Sequence, residues 1–227
     1  MLDIVVIGKD RPFYLEKCIS AIEATSRKYR LTIIDDGSSN LFDIKRNLSK
    51  AHQIILNGKN MGSTPSMNTG IHLAHMWQWF YKESVDDPLL FIEDDMVLKS
   101  GWQEKCWEYL NKWENEFKIG FISGFDAPEH STTKEISYVG DTIKIKDIIR
   151  SSMMYARKKH WASIGLVPNL DKDGKERGFP SAGTGSKRDW YYLTDAINSN
   201  KAQGKNCLVI CGLAEHIGEN NSTWRKE

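Results

Sequence analysis

Three adjacent carboxylates, Glu93-Asp94-Asp95, follow directly on the apolar run Leu89–Ile92. At the end of a buried strand they repel one another and lose solvation. A hard divalent cation removes that conflict, because Mg²⁺ or Mn²⁺ takes one or two carboxylates together with phosphate oxygens and water. A solvated strand-to-loop exit is the plainer alternative. Two more polar clusters end apolar runs in the same way, Lys9-Asp10-Arg11 after Ile4–Ile7 and Asp35-Asp36-Gly37-Ser38-Ser39 after Leu31–Ile34. A third, Asn57-Gly58-Lys59-Asn60-Met61-Gly62, follows Gln53–Leu56. The Asp35–Ser38 stretch reads either as a turn that caps a following helix, or as a carboxylate aimed at a nucleoside's base or ribose. Neither a Walker A sequence nor a G-x-G-x-x-G follows the first apolar run. Phosphates would therefore be held by a metal and basic side chains rather than by a glycine-rich cradle.

The elements that must position these clusters alternate between strand and helix. Ile4–Ile7 reads as a buried strand, since β-branched residues run on without polar interruption. Asp10-Arg11-Pro12 opens a helix, with proline tolerated in the first turn and Leu15, Ile19 and Ile22 along one face. Strands follow at Leu31–Ile34 and Gln53–Leu56, with a weaker helix around Leu41–Leu48 between them. Ser63-Thr64-Pro65 caps a long helix to about Lys82, with Met67, Ile71, Ala74 and Trp77 on one side. Leu89–Ile92 is the fourth strand, a helix from Ser100 or Gly101 carries Trp102, Cys106, Tyr109 and Trp113, and another strand covers Ile119–Ser123. Such alternation implies parallel strands joined by right-handed crossovers, hence a sheet covered on both faces. Ligands of open parallel sheets bind outside the carboxyl ends of the strands, so four strand ends converge on one polar crevice. After Gly124 the character changes. A hairpin is expected at Ile136–Val139 and Thr142–Ile145, a further strand within Ile148–Tyr155, and a glycine-rich charged loop across about Leu170–Lys187. A helix from Trp190 to Asn198 and a last strand, Cys207–Cys211, complete the chain.

The combination of Ile4-Val5-Val6-Ile7-Gly8-Lys9-Asp10-Arg11-Pro12, Ile33-Ile34-Asp35-Asp36-Gly37-Ser38, Asn60-Met61-Gly62 with Met67-Asn68-Thr69-Gly70, and Phe91-Ile92-Glu93-Asp94-Asp95 resembles a glycosyltransferase of the GT-A fold. Its nearest flavour is the large family 2 of nucleotide-sugar-dependent, usually inverting enzymes. The likeness covers Met1 to Trp102 closely and the rest loosely. It implies a Rossmann-like α/β fold, with a mixed, mainly parallel sheet, helices on both faces and a smaller acceptor-side subregion. One domain, 1–227, would comprise a nucleotide-sugar half to about residue 123 and an acceptor half beyond it. The resemblance assigns Asp36 (or Asp35) to the uracil or ribose of a UDP-linked donor, and Asp94 to ribose or to water-mediated support of the metal. It puts Arg11 near the nucleotide and has Asn60–Gly62 line the same pocket. It makes Asp95 a ligand of Mn²⁺ or Mg²⁺ and His216, in Ala214-Glu215-His216-Ile217-Gly218, a further ligand. Imidazole suits Mn²⁺ better than Mg²⁺. The catalytic base falls on Asp189 in Lys187-Arg188-Asp189-Trp190-Tyr191, with Asp195 and Asp126 behind it. Asp189 also reads as a plain helix N-cap.

Composition narrows the rivals. At 227 residues, 40% hydrophobic, 27% charged and a net charge of +1, the chain is an ordinary globule, and whole-molecule attraction to nucleic acid or membrane is excluded. No apolar stretch approaches the roughly 18 residues of a spanning helix. Met1–Lys9 lacks a basic start and a cleavage site, so the expected address is cytoplasmic. Four cysteines form no C-x-x-C pair and read as buried thiols. A nucleotidyltransferase would want a glycine-rich basic loop where Gly8–Pro12 stands, and a silent nucleotide-sugar-binding module would have no need of the acidic triplet. Basic residues concentrate in Lys144–His160 and Lys172–Arg188. They read as a solvated surface or as a site for an anionic acceptor: a phosphorylated glycan, a lipid-linked sugar or a hydroxyl-bearing modified nucleic acid.

Overall fold

The computed structural model describes residues 1–40, 49–61, 63–150, 152–164 and 200–218. The expected helices around Leu41–Leu48 and Trp190–Asn198, and the loop Leu170–Lys187, lie outside the described residues.

Eleven strands are present among the described residues: β1 Leu2–Gly8, β2 Tyr29–Asp35, β3 Gln53–Leu56, β4 Pro88–Glu93, β5 Met96–Leu98, β6 Ile119–Ser123, β7 Thr132–Tyr138, β8 Asp141–Lys146, β9 Met153–Arg157, β10 Asn206–Ile210 and β11 Ala214–His216. Helices α1 Pro12–Thr25, α2 Ser63–Tyr81, α3 Trp102–Trp113 and α4 Lys158–Ile164 join them. Nine strands form one sheet in the order β3-β2-β1-β4-β9-β6-β10-β8-β7, while β5 and β11 pair separately. Following the pairings across the sheet, every strand except β9 and β8 runs in the same direction. The sheet is thus mixed and mainly parallel, and β9 from the second half of the chain is inserted between β4 and β6.

Strand alternation divides the core into two faces. Leu2, Ile4 and Val6 of β1 join one cluster with Leu15, Cys18, Ile19 and Ile22 of α1 and the buried face of α3. Val5 and Ile7 join the other, with Met67, Ile71 and Ala74 of α2 and Trp161 of α4. The i, i+4, i+7 spacing in α2 and the i, i+4, i+7, i+8 spacing in α3 place each apolar stripe on the sheet. The β7–β8 turn passes through Val139 and Gly140, both with positive φ (49° and 81°), the combination a tight two-residue hairpin requires.

The sheet order decides where a ligand can bind. From β1 the chain moves through β2 and β3 on one side, then returns to lay β4 on the other. Connections therefore diverge between the carboxyl ends of β1 and β4, opening a crevice there. Arg11 follows β1 and Asp94-Asp95 follow β4, so the two clusters meet at that divergence.

Candidate active site

Arg11 is the N-cap residue of α1 and makes no side-chain cap hydrogen bond. Its guanidinium instead reaches across the crevice to pair with Asp94 Oδ1, and with Asp95 Oδ2 at 2.5 Å. The two carboxylates are almost wholly buried, while the Arg11 side chain keeps 25% exposure. Burial pushes the Asp94 carboxyl well above its ordinary range, against the pull of Arg11. Burial acts on Arg11 as well, but Asp94 and Asp95 outweigh it and hold the guanidinium firmly cationic.

β4 ends in hydrogen bonds that aim these groups. Asp94 N–H donates to Ile7 C=O at 2.9 Å, tying the acidic turn to β1. A Cβ at Gly8 would collide with the Asp94 carboxylate, and one at Gly218 would collide with that of Asp95. Both glycines are thus required by close approach to the acids.

His216 arrives by the small sheet. β11 pairs with β5 in the register His216 to Met96, and Ile217 N–H donates to Asp95 C=O at 2.9 Å. His216 Nε2 lies 3.5 Å from Asp95 Oδ1. Phe125, just beyond β6, packs its ring 5.6 Å from the imidazole. One ligand atom each from Glu93, Asp95 and His216 lie within 4.8 Å of one another. Asp95 Oδ1 and His216 Nδ1 are buried without a hydrogen-bond partner, a costly arrangement in an apolar surround. Two carboxylates, an imidazole and orphaned polar atoms fit a hard or borderline divalent cation, Mn²⁺ or Mg²⁺. Glu93 is a member of this cluster that sequence reasoning did not assign. The signal for it was its place as the last residue of β4.

The second flank of the crevice is built by β2 and its loop. The carboxylate of Asp35 accepts from Ser38 N–H at 3.0 Å and from the Ser38 hydroxyl, closing the turn. Asp36 Oδ1 accepts from Asn57 Nδ2 (3.0 Å), Met61 N–H (2.9 Å) and Ser66 Oγ (3.2 Å), which join β3, the following turn and the start of α2. Gly37 has φ +77°, and a Cβ there would strike the Lys59–Asn60 peptide, so Asn60 packs its backbone on this turn. Asp10 links the loops, its carboxylate accepting from Ser39 N–H at 2.7 Å. Arg11, Asp35, Asp36, Asn60, Asp94, Asp95 and His216 therefore all stand at this edge of the fold, on strand ends and the loops that follow them. Gly62, Asp189 and Asp195 lie outside the described residues.

Two observations bear on the second half. Asp126 is held by Lys144 and Lys146, each at 2.6 Å. Although burial works upward, those hydrogen bonds lower its pKa, which makes it a weak base. Along Lys144–His160 the other cations also have carboxylate partners within the fold: Arg150 pairs with Glu129, Arg157 with Glu114, Lys158 with Asp3 and Lys159 with Asp86. No helix among the described residues is long and apolar enough to cross a membrane. The described cysteines are all unpaired, and Cys18, Cys106 and Cys207 are buried.

No family model matches the chain. Over 171 residues it is 26% identical to a protein of Haemophilus influenzae described as an uncharacterized glycosyltransferase, with 75% of this chain and 52% of that protein covered. The chain thus spans about half the length of the curated relative it matches. Among solved structures it is similar to GalNAc-T7 bound to UDP, GalNAc and Mn²⁺, with a TM-score of 0.57 at 11% identity over 95% of this chain and 43% of that one. It is also similar to the mannosyltransferase PcManGT of Pyrobaculum calidifontis in complex with GDP-Man and Mn²⁺, with a TM-score of 0.56 at 10% identity over 93% of this chain and 56% of that one. The fold is the GT-A fold of glycosyltransferases.

Proposed function

We propose that this chain transfers a sugar from a nucleotide diphosphate sugar, UDP-linked, to an acceptor hydroxyl with inversion at the anomeric carbon. The observation that carries the reading is the Glu93–Asp95–His216 cluster at the divergence of β1 and β4, in a GT-A fold. Similar structures hold UDP or GDP-Man together with Mn²⁺, which supports a nucleotide-sugar donor and a divalent cation here.

Asp36, fixed through one oxygen by three donors, presents a rigid carboxylate for the base or ribose, beside Asn60. Asp35 closes the turn that holds it. Asp94 supports ribose or the metal from a buried position, and Arg11 supplies positive charge beside the diphosphate. Glu93, Asp95 and His216 would hold Mn²⁺ or Mg²⁺, which when bound stabilises the negative charge of the departing diphosphate. Asp189 accepts the proton of the acceptor hydroxyl. The lysine clamp on Asp126 favours this assignment over that fallback. An anionic acceptor, whether glycan, lipid-linked sugar or modified nucleic acid, would have to draw on Lys172–Arg188, since the charge of Lys144–His160 is already paired.

Hydrolysis of UDP- and GDP-sugars, measured with Mn²⁺ and again in EDTA, tests the reading. Turnover of a UDP-sugar that requires the metal is expected. Turnover in neither condition, with no binding of either nucleotide, would overturn it.

A further inference from the structure

Arg11 breaks a local rule. A cation at the N-cap of a 14-residue helix opposes the helix dipole, and here it caps nothing. Such a violation is expected where another requirement overrides local preference. The requirement is visible: the guanidinium bridges two buried carboxylates, one of which belongs to the metal-ligating cluster. Asp95 Oδ2 is engaged by Arg11 at 2.5 Å, while Oδ1 faces His216 without a hydrogen bond. A divalent cation entering beside Asp95 would meet an immobilised positive charge on the same carboxylate.

We infer that Arg11 makes metal binding conditional on the nucleotide diphosphate. With no donor bound, the guanidinium is the counter-cation of Asp94 and Asp95, and it weakens the cluster's hold on Mn²⁺ by charge and by occupying Asp95 Oδ2. A diphosphate offers the guanidinium a bidentate anionic partner at the positive end of α1, the kind of group that both prefer. The guanidinium shifts its allegiance to the phosphates, and Asp95 becomes fully available to the cation. Donor and metal then bind with positive coupling, each strengthening the other by the same factor. This inference rests on the nucleotide-sugar reading above.

The test is Mn²⁺ binding, read from the loss of the free-ion EPR signal on titration with protein, in the presence and absence of UDP. Wild-type protein should bind Mn²⁺ roughly tenfold or more tightly once UDP is present. In Arg11→Met, Mn²⁺ alone should bind roughly tenfold more tightly than to wild type, and UDP should strengthen it by a smaller factor than in wild type. Arg11→Met combined with Asp94→Asn removes the cation together with the buried charge it compensates, so it guards against a single variant that fails to fold. UDP should again strengthen Mn²⁺ binding by a smaller factor than in wild type. Unchanged or weaker Mn²⁺ binding by Arg11→Met, or an undiminished effect of UDP in either variant, beside a wild-type protein that couples, overturns the inference and leaves the glycosyltransferase reading standing. A wild-type protein that binds neither Mn²⁺ nor UDP overturns both.

Discussion

Asp95→Asn separates the role of the acidic cluster in ligand binding from its role in the fold. The Asp95 side chain is 3% exposed, with one oxygen on Arg11 at 2.5 Å and the other 3.5 Å from His216. Asparagine keeps the shape, so no cavity forms. It weakens one charge-assisted hydrogen bond, at a cost of about 1 kcal/mol, and it removes repulsion with Asp94 and Glu93 that acts in the opposite sense. The unliganded protein should therefore melt within about 2–4 °C of wild type. Ligand-induced stabilisation behaves differently. UDP and Mn²⁺ at about 100 times their dissociation constant contribute about 2.7 kcal/mol, which for a chain of this length raises Tm by roughly 5–10 °C. Loss of a metal ligand that weakens binding about a hundredfold leaves about 0.4 kcal/mol, or about 1–2 °C. Differential scanning fluorimetry of both proteins, with UDP and Mn²⁺ together and with each alone, reads these shifts. A wild-type shift in Asp95→Asn would refute the assignment of Asp95 to the metal. A collapse of the unliganded Tm would show that Asp95 serves the fold first.

Asp189→Asn should lower kcat by roughly 10²–10⁴ with donor affinity nearly unchanged, whereas near-wild-type turnover would mark Asp189 as a helix cap and move the base to Asp195. Lys158 is fully buried between Asp3 (2.6 Å) and Glu83 (2.8 Å), so Lys158→Met leaves Asp3 with Arg30 alone at this end of the sheet. Urea denaturation should show a loss of about 3–5 kcal/mol, and a loss under about 1 kcal/mol would mean the network relaxes freely. His160 is buried, with Nε2 2.8 Å from Asn200 Oδ1, and burial lowers its pKa to about 4. As pH falls from 6.5 the unfolded chain takes up this proton first, so stability present at neutral pH declines toward pH 4 by up to about 3 kcal/mol. Chemical denaturation between pH 7 and pH 4 should show this slope in wild type and a shallower one in His160→Gln.

Much of the first half of the chain was legible in the amino-acid sequence. Ile4–Ile7, Leu31–Ile34, Gln53–Leu56 and Leu89–Ile92 announce strands because runs of β-branched and aliphatic residues suit a sheet covered on both faces. The helical spacings of Leu15, Ile19 and Ile22 and of Trp102, Cys106, Tyr109 and Trp113 announce the helices that cover one of those faces. Because polar clusters end these strands, parallel topology alone put Arg11, Asp35, Asp36 and the acidic triplet on a common edge. Only the tertiary structure decided which of those groups touch. The chain reversal that lays β4 beside β1 brings Arg11 onto Asp94 and Asp95, across more than eighty residues. His216 reaches Asp95 only because β11 pairs with β5, two strands of three residues each. Segments so short carry no periodicity that distinguishes them from loop. The Lys144–His160 run looked like a positive surface because sequence counts charges without their partners. Folding brings Asp3, Asp86, Glu114, Asp126 and Glu129 to those cations from distant positions, and such pairing is a property of the packed chain.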